Sequence, residues 1–186
     1  MPVSSPINEP APDQLGRVIE FVNTLDRETG IDDLSTQSGL RTWLVDRQFL
    51  DPDAPPIGEP ERRQAIRLRE ALRAVLLAHN GLEPDPEAAA ELDRVAQAGR
   101  LSVQFAVDGS AVLRPRAEGF AGALAGLLAA VATADADGSW QRAKACRADD
   151  CEWAFYDHSR NRSGVWCDMA VCGNRTKVRA YRARKP

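Results

Sequence analysis

The chain has 186 residues, 44% hydrophobic and 27% charged, with four cysteines and a formal charge of −3. That is the composition of one or two globular domains with enough apolar residues for a core. It excludes a membrane-spanning chain, because no window approaches the roughly 18 apolar residues that a span needs. The opening MPVSSPINEPAPDQ has neither a basic n-region nor an apolar h-region, so a cytoplasmic protein is expected. Thiols there stay reduced, which favours a metal over disulfides for clustered cysteines. The charge is uneven. Residues 140–186 hold eleven Lys/Arg against five Asp/Glu, and residues 1–139 hold thirteen against twenty-two. An acidic body followed by a basic tail suggests two modules, 1–139 and 140–186, with different partners.

The first ten residues are rich in Pro and Ser. Leu15, Val18, Ile19, Val22 and Leu25 then recur at helical spacing and predict a first helix. A second is expected over 40–50, with Leu40, Trp43, Leu44 and Arg47 on one side. Four prolines within 51–60 mark a loop. The third helix, 61–80, lines up Leu68, Leu72, Val75, Leu76 and His79 and stops at Asn80-Gly81. A fourth covers 87–98. The period then becomes two: Leu101, Val103, Phe105 and Val107 alternate with Ser102, Gln104 and Ala106. With a two-residue Asp108-Gly109 link to 110–114, this predicts a β-hairpin. An Ala/Leu-rich helix over 120–134 follows, its apolar run 124–131 reading as a buried core helix. Residues 135–139 are a plausible hinge. The fold class expected is α+β: a mainly helical N-terminal domain with a hairpin, then a small C-terminal module.

Nothing in the body has catalytic spacing, so an enzyme is not expected. His79 reads as a satisfied or capping histidine. Asp32-Asp33 reads as an acidic helix start, and Gly122/Gly126 as a packing step. Asn23 is a polar amide inside the apolar 21–25 run. It is the candidate ligand-binding residue for an effector, in a pocket between the first helix and the hairpin near Phe105. The alternative is that it braces a neighbouring loop.

All four cysteines fall in the last third, spaced C-x4-C-x15-C-x4-C as Cys146, Cys151, Cys167 and Cys172. Four thiolates close the tetrahedral shell of one structural Zn2+. Arg147-Ala-Asp-Asp150 can turn as a knuckle. Cys167 and Cys172 would sit at the start of a helix over 174–185, where the dipole favours thiolate. A knuckle, a hairpin and a helix make a treble-clef-like arrangement. Trp153, Phe155 and Trp166 supply apolar bulk to a module too small to fold without a metal. His158 is expected outside the ligand set.

Lys144-Ala145-Cys146, Cys151, Trp153-Ala154-Phe155, Asp157, Trp166-Cys167 and Cys172-Gly173-Asn174-Arg175 together resemble the CGNR zinc finger, over about 45 residues. Phe21-Val-Asn-Thr-Leu25 and Trp43 are similar to the ABATE domain that precedes this finger in many bacterial proteins. The resemblance implies a stress-induced transcription regulator. Arg175, Arg179 and Arg182 form one helical stripe, and Lys177 and Arg184 another. Arg160 and Arg162 lie in the adjoining loop. These seven are the candidate DNA-binding residues, since guanidinium and ammonium groups pair with phosphate. The runner-up is a zinc-stabilised protein-interaction module whose basic helix docks on an acidic surface, the protein's own body included. The partners expected are therefore DNA, an effector (small molecule or protein) on the body, and no membrane.

Overall fold

The computed structural model describes residues 11–183. Helices α1 (Asp13–Val22), α2 (Gln37–Asp46), α3 (Glu59–His79) and α4 (Pro86–Ala98) precede the hairpin β1 (Ser102–Phe105) and β2 (Ala111–Arg114). Helix α5 (Gly119–Ala136), a second hairpin of β3 (Ala143–Ala145) and β4 (Ala154–Tyr156), and helix α6 (Asn174–Ala183) complete it. A π-helical turn, Met169–Gly173, leads into α6. The result is α+β, mainly helical, with two small antiparallel sheets.

The helices follow from apolar periodicity and from local caps. Thr36 caps α2 by accepting from the Gly39 N–H at 3.0 Å, and Asp85 caps α4 by accepting from the Glu87 N–H. The core gathers Leu15, Val18, Phe21, Leu40, Leu44, Leu68, Leu72, Leu76, Leu124 and Leu127. Contrary to the expectation that no window reaches the length of a span, helix α5 is long and apolar enough to cross a membrane by length and composition, but it buries Leu124, Leu127, Leu128 and five small residues against the body helices. Gly99 allows α5 to approach α4 closely, since a Cβ there would stand 2.0 Å from the Ala125 Cβ.

Four details depart from the sequence reading. Helix α1 ends at Val22, and Leu25 pairs instead with Asp32 in an isolated bridge. Asp32 does not start a helix: it holds the buried Arg69 with two bonds, at 2.7 and 3.0 Å. The β1–β2 turn is not a two-residue link. Ala106 N–H donates to Ser110 at 2.8 Å, and only Gly109 takes a positive φ, +83°. This is the three-residue turn with a glycine in the left-handed position. Finally, Val103 and Phe105 face solvent, while Ser102 and Gln104 are half-buried.

The core does not stop at residue 139. Trp140, Ala143, Ala145 and Ala154 belong to the same apolar cluster as the body helices. His79 binds this joint: its ring stands edge-on to Trp140 at 5.1 Å, and its Nδ1 lies 2.9 Å from the Ala143 carbonyl. Burial pushes its pKa down, so the ring is neutral and Nδ1–H donates.

Candidate metal centre and its basic surround

The first cysteine pair sits on hairpin β3–β4. Cys146 follows β3, and its N–H donates to the Trp153 carbonyl at 3.0 Å. The chain turns through 147–150, where Cys151 N–H donates to Ala148 at 2.8 Å. Glu152 takes a positive φ of 49°, which aims the chain back into β4. The second pair brackets the start of the π turn. Asp168 caps that turn by accepting from Ala170 and Val171 N–H, setting Cys167 just before it and Cys172 within it. A hairpin tip thus meets a helix entrance.

The four sulfur atoms lie within 4.8 Å of one another. Cys151 to Cys167 and Cys167 to Cys172 are each 3.6 Å. That is far longer than a disulfide of about 2.05 Å. It is close to the roughly 3.8 Å edge of a tetrahedron with 2.3 Å metal–sulfur bonds. Cys146, Cys151 and Cys172 are buried, with Ala148 and Trp166 packed around them. Thiols this close cannot all ionise unaided. Hydrogen bonding to the Cys146 and Cys151 sulfurs, burial and charge repulsion all push the Cys167 thiol up. A dication resolves the conflict, and the donor set suits a closed zinc shell. The four cysteines are the ligands of one structural zinc ion. Such a site with four thiolates carries a net charge of about −2, and Arg175 answers it, its Nη2 donating to Cys172 Sγ at 3.6 Å.

Polar side chains anchor this module to the body. Asn23 Nδ2 donates to the Ala154 carbonyl at 2.9 Å, and its Oδ1 accepts from the Ala154 N–H at 2.7 Å. Both ends of the amide are therefore spent on β4. This corrects the expectation of a ligand-binding Asn23: it is a brace. Phe105 is also displaced from that role, being 76% exposed at the hairpin end. Asn80, buried at the end of α3, donates to the Ala145 and Val165 carbonyls at 2.7 and 2.8 Å. Arg73, 1% exposed, donates to Val22 in the body at 2.7 Å and to Glu152 in the knuckle at 2.8 Å. Within the module, the buried Lys144 ammonium meets Asp157 Oδ2 at 2.7 Å and the Arg162 and Gly164 carbonyls. Burial opposes ionisation of Asp157, but Lys144 and the Ser159 and Gly164 amides outweigh it and hold the carboxyl at about 2.

The basic residues divide. Arg175 does not project outward as the helical stripe implied. It is 24% exposed and bonded to Glu28 of the body at 2.7 Å, with Asp150 at 3.4 Å. Arg179 also reaches Asp150, at 2.8 Å, but stays 60% exposed. Lys177 and Arg182 are exposed on α6, as are Arg160 and Arg162 on the loop. Arg184 lies outside the described residues. Arg147, on the knuckle, is a further exposed cation that the helix-centred reading passed over. The braces Asn80 and Arg73 were also missed, as was Glu28 as the partner of Arg175. The one sequence trace of the two braces was a polar residue inside or beside an apolar run.

A four-thiolate finger fused through a shared core to a helical body defines a zinc-finger protein of two parts. The CGNR zinc finger model matches residues 142–185. The ABATE model, described as "Putative stress-induced transcription regulator", matches residues 16–138, more than half of the chain. The chain belongs to the ABATE family and carries a CGNR zinc finger. No curated protein shows significant similarity to it.

Proposed function

We propose that the protein is a cytoplasmic DNA-binding transcription regulator, acting by binding and not by catalysis. The observation that carries this reading is the fate of charge in the finger. Its acids are largely paired: Asp157 with Lys144, Asp150 with Arg175 and Arg179, Glu152 with Arg27 of the body at 3.0 Å, and Asp168 through its cap. Arg160, Arg162, Lys177 and Arg182 remain exposed, and Arg179 largely so. A surface left with surplus guanidinium and ammonium groups suits phosphate. Zinc with four thiolates has no open position for a substrate, which supports a structural role.

The body would carry the effector. A cleft of about 410 Å³ lies between α1, β2 and α5, lined by Arg17, Phe49, Val112, Gly126 and Thr133 among others. It adjoins a second cleft of about 820 Å³ that shares Phe49, Pro115 and Gly122. Neither Asn23 nor Phe105 lines them.

The test is duplex-DNA binding by the zinc-loaded chain, titrated at several salt concentrations. A Lys177→Ala/Arg179→Ala/Arg182→Ala variant should show a shallower slope of log K against log salt. The slope should fall by about 0.9 for every phosphate the variant no longer neutralises. Arg160→Ala/Arg162→Ala should lower it further. If parent and variants bind alike, the cations are only a solvated face. The runner-up, a protein-interaction module, draws on one contact: Arg175 already docks on an acidic body residue, Glu28. A finger that binds no DNA at low salt would favour it.

A further inference from the structure

We propose that β1 is a self-association edge, pairing antiparallel with β1 of a second copy in a register centred on Gln104. The β1–β2 sheet has only two strands, so both are edges. Helix α5 packs against β2, which leaves β1 on the outer side. Among the described residues, no backbone hydrogen bond from another element reaches residues 102–105.

The direction of the backbone groups follows from the turn. Ala106 N–H bonds to Ser110, and the ladder then pairs Phe105 with Ala111, Gln104 with Val112 and Val103 with Leu113. Bonded and non-bonded pairs alternate in an antiparallel ladder. Gln104 therefore bonds to β2, while Val103 and Phe105 turn their N–H and C=O groups to the open edge. Two residues offering outward groups on either side of a central one is the arrangement that a twofold axis satisfies. Val103 of each copy exchanges hydrogen bonds with Phe105 of the other, and the two Gln104 residues meet on the axis.

The side chains agree with that pairing. Val103 is 54% exposed, Phe105 76%, and Val107 fully exposed. Val103 and Phe105 stand on one face, which would continue across the axis as an apolar ladder, with Val107 beyond them in the turn. Residues 101–107 contain no charge, glycine or proline, so β1 lacks the devices that normally protect an edge. The same neutrality removes any like-charge clash when the segment meets itself. Edge pairing covers the strand backbones and the flanks of these side chains but leaves their outer face in solvent, so the buried area stays below the roughly 1,200 Å² at which stable specific interfaces begin. A second copy in weak micromolar equilibrium fits that area.

Sedimentation of the full, zinc-loaded chain without DNA tests this separately from the proposed function. The parent should pass from monomer to dimer between about 1 and 300 μM. Val103→Arg/Phe105→Arg places like charges across the axis and should leave monomer throughout. Val103→Pro removes only an outward N–H, so the hairpin keeps its own bonds while dimerisation weakens at least about tenfold. Circular dichroism and the unfolding midpoint should show all variants folded. A parent that stays monomeric at about 300 μM overturns the proposal, as does a double-arginine variant that dimerises like the parent.

Discussion

The body and the finger reach a stable fold by different means. The body buries leucines, valines and Phe21 from five helices in one continuous cluster, and burial of such side chains is enough to fold a domain of this size. The finger's own buried cluster is Cys146, Ala148, Cys151 and Cys172, with Trp166 and Cys167 beside it. That is too little apolar surface to stand alone, so the finger depends on metal–sulfur bonds and on polar anchors from the body. The chain is two modules by sequence family and one structure by packing, because β3 and β4 belong to the body's core.

Removing the metal should break this comparison most sharply. Zinc contributes on the order of 10 kcal/mol in small zinc modules. Cys172→Ser or chelation should therefore release residues 157–183, seen as fast amide exchange and lost helical signal from α6. Exchange in α1, α3 and α5 should stay slow, and Ala143, Ala145 and Ala154 should remain protected by the body. If the whole chain unfolds together, the body has no independent core. If nothing is released, the sulfur cluster is not what holds the finger.

Arg73 tests the joint itself. Its guanidinium spans body and knuckle, with Glu70 alongside at 3.0 Å. Arg73→Ala strands the Val22 and Glu152 carbonyls, while Glu70 keeps Arg69 and Arg27, and should destabilise the chain by about 2–4 kcal/mol in denaturant unfolding. Zinc content should remain near one per chain. A destabilisation below about 1 kcal/mol would mean that the anchors only decorate an interface held by packing.

How much of this was legible in sequence follows the same division. The metal site was readable because its ligands are local and chemically distinctive: the paired spacing of Cys146, Cys151, Cys167 and Cys172 suggests the site, and the surrounding CGNR motif makes it specific. The helices were readable because burial imposes a 3.6-residue period. Their ends shifted by at most four residues, and the Thr36 and Asp85 caps or the Leu25–Asp32 bridge decided the boundary. The hairpin's existence was legible, but not its orientation: alternation says that Val103 and Phe105 share a face, not that the face is solvent. The anchors were invisible because each joins residues far apart in the chain, 131 positions for Asn23 and Ala154, and a single amide leaves no periodic trace. Arg175 misled for the same reason. Its helical position suggested an outward stripe, and only the fold brought Glu28 to it.

Acid should sharpen the contrast at a smaller scale. Asp157 is held at about 2 by Lys144 and two amides, against roughly 3.9 when unfolded. A folded pKa below the unfolded one gives stability that is present above about pH 4 and lost as pH falls toward 2. The advantage of the parent over Asp157→Asn should therefore be on the order of 2 kcal/mol at neutral pH and shrink through that window. Measuring the difference between the two proteins removes the acid release of zinc, which both share. A pH-independent difference would mean that Asp157 acts by shape and not by charge.

The weakest link expected is Glu28–Arg175. It joins a half-exposed carboxylate to Arg175, which turns toward the body, and exposed ion pairs are screened by water and salt. Glu28→Gln should move the unfolding midpoint by no more than about 2 °C, because Arg175 keeps Asp150 and the Cys172 sulfur. Under the DNA-binding reading the same change removes an acid beside the basic surface and leaves Arg175 freer to meet phosphate. DNA affinity at low salt should then rise a few-fold while stability stays flat. A midpoint drop as large as that of Arg73→Ala would place Glu28 among the anchors that hold the finger, and the division between packed anchors and exposed charge would have to be redrawn at the start of α6.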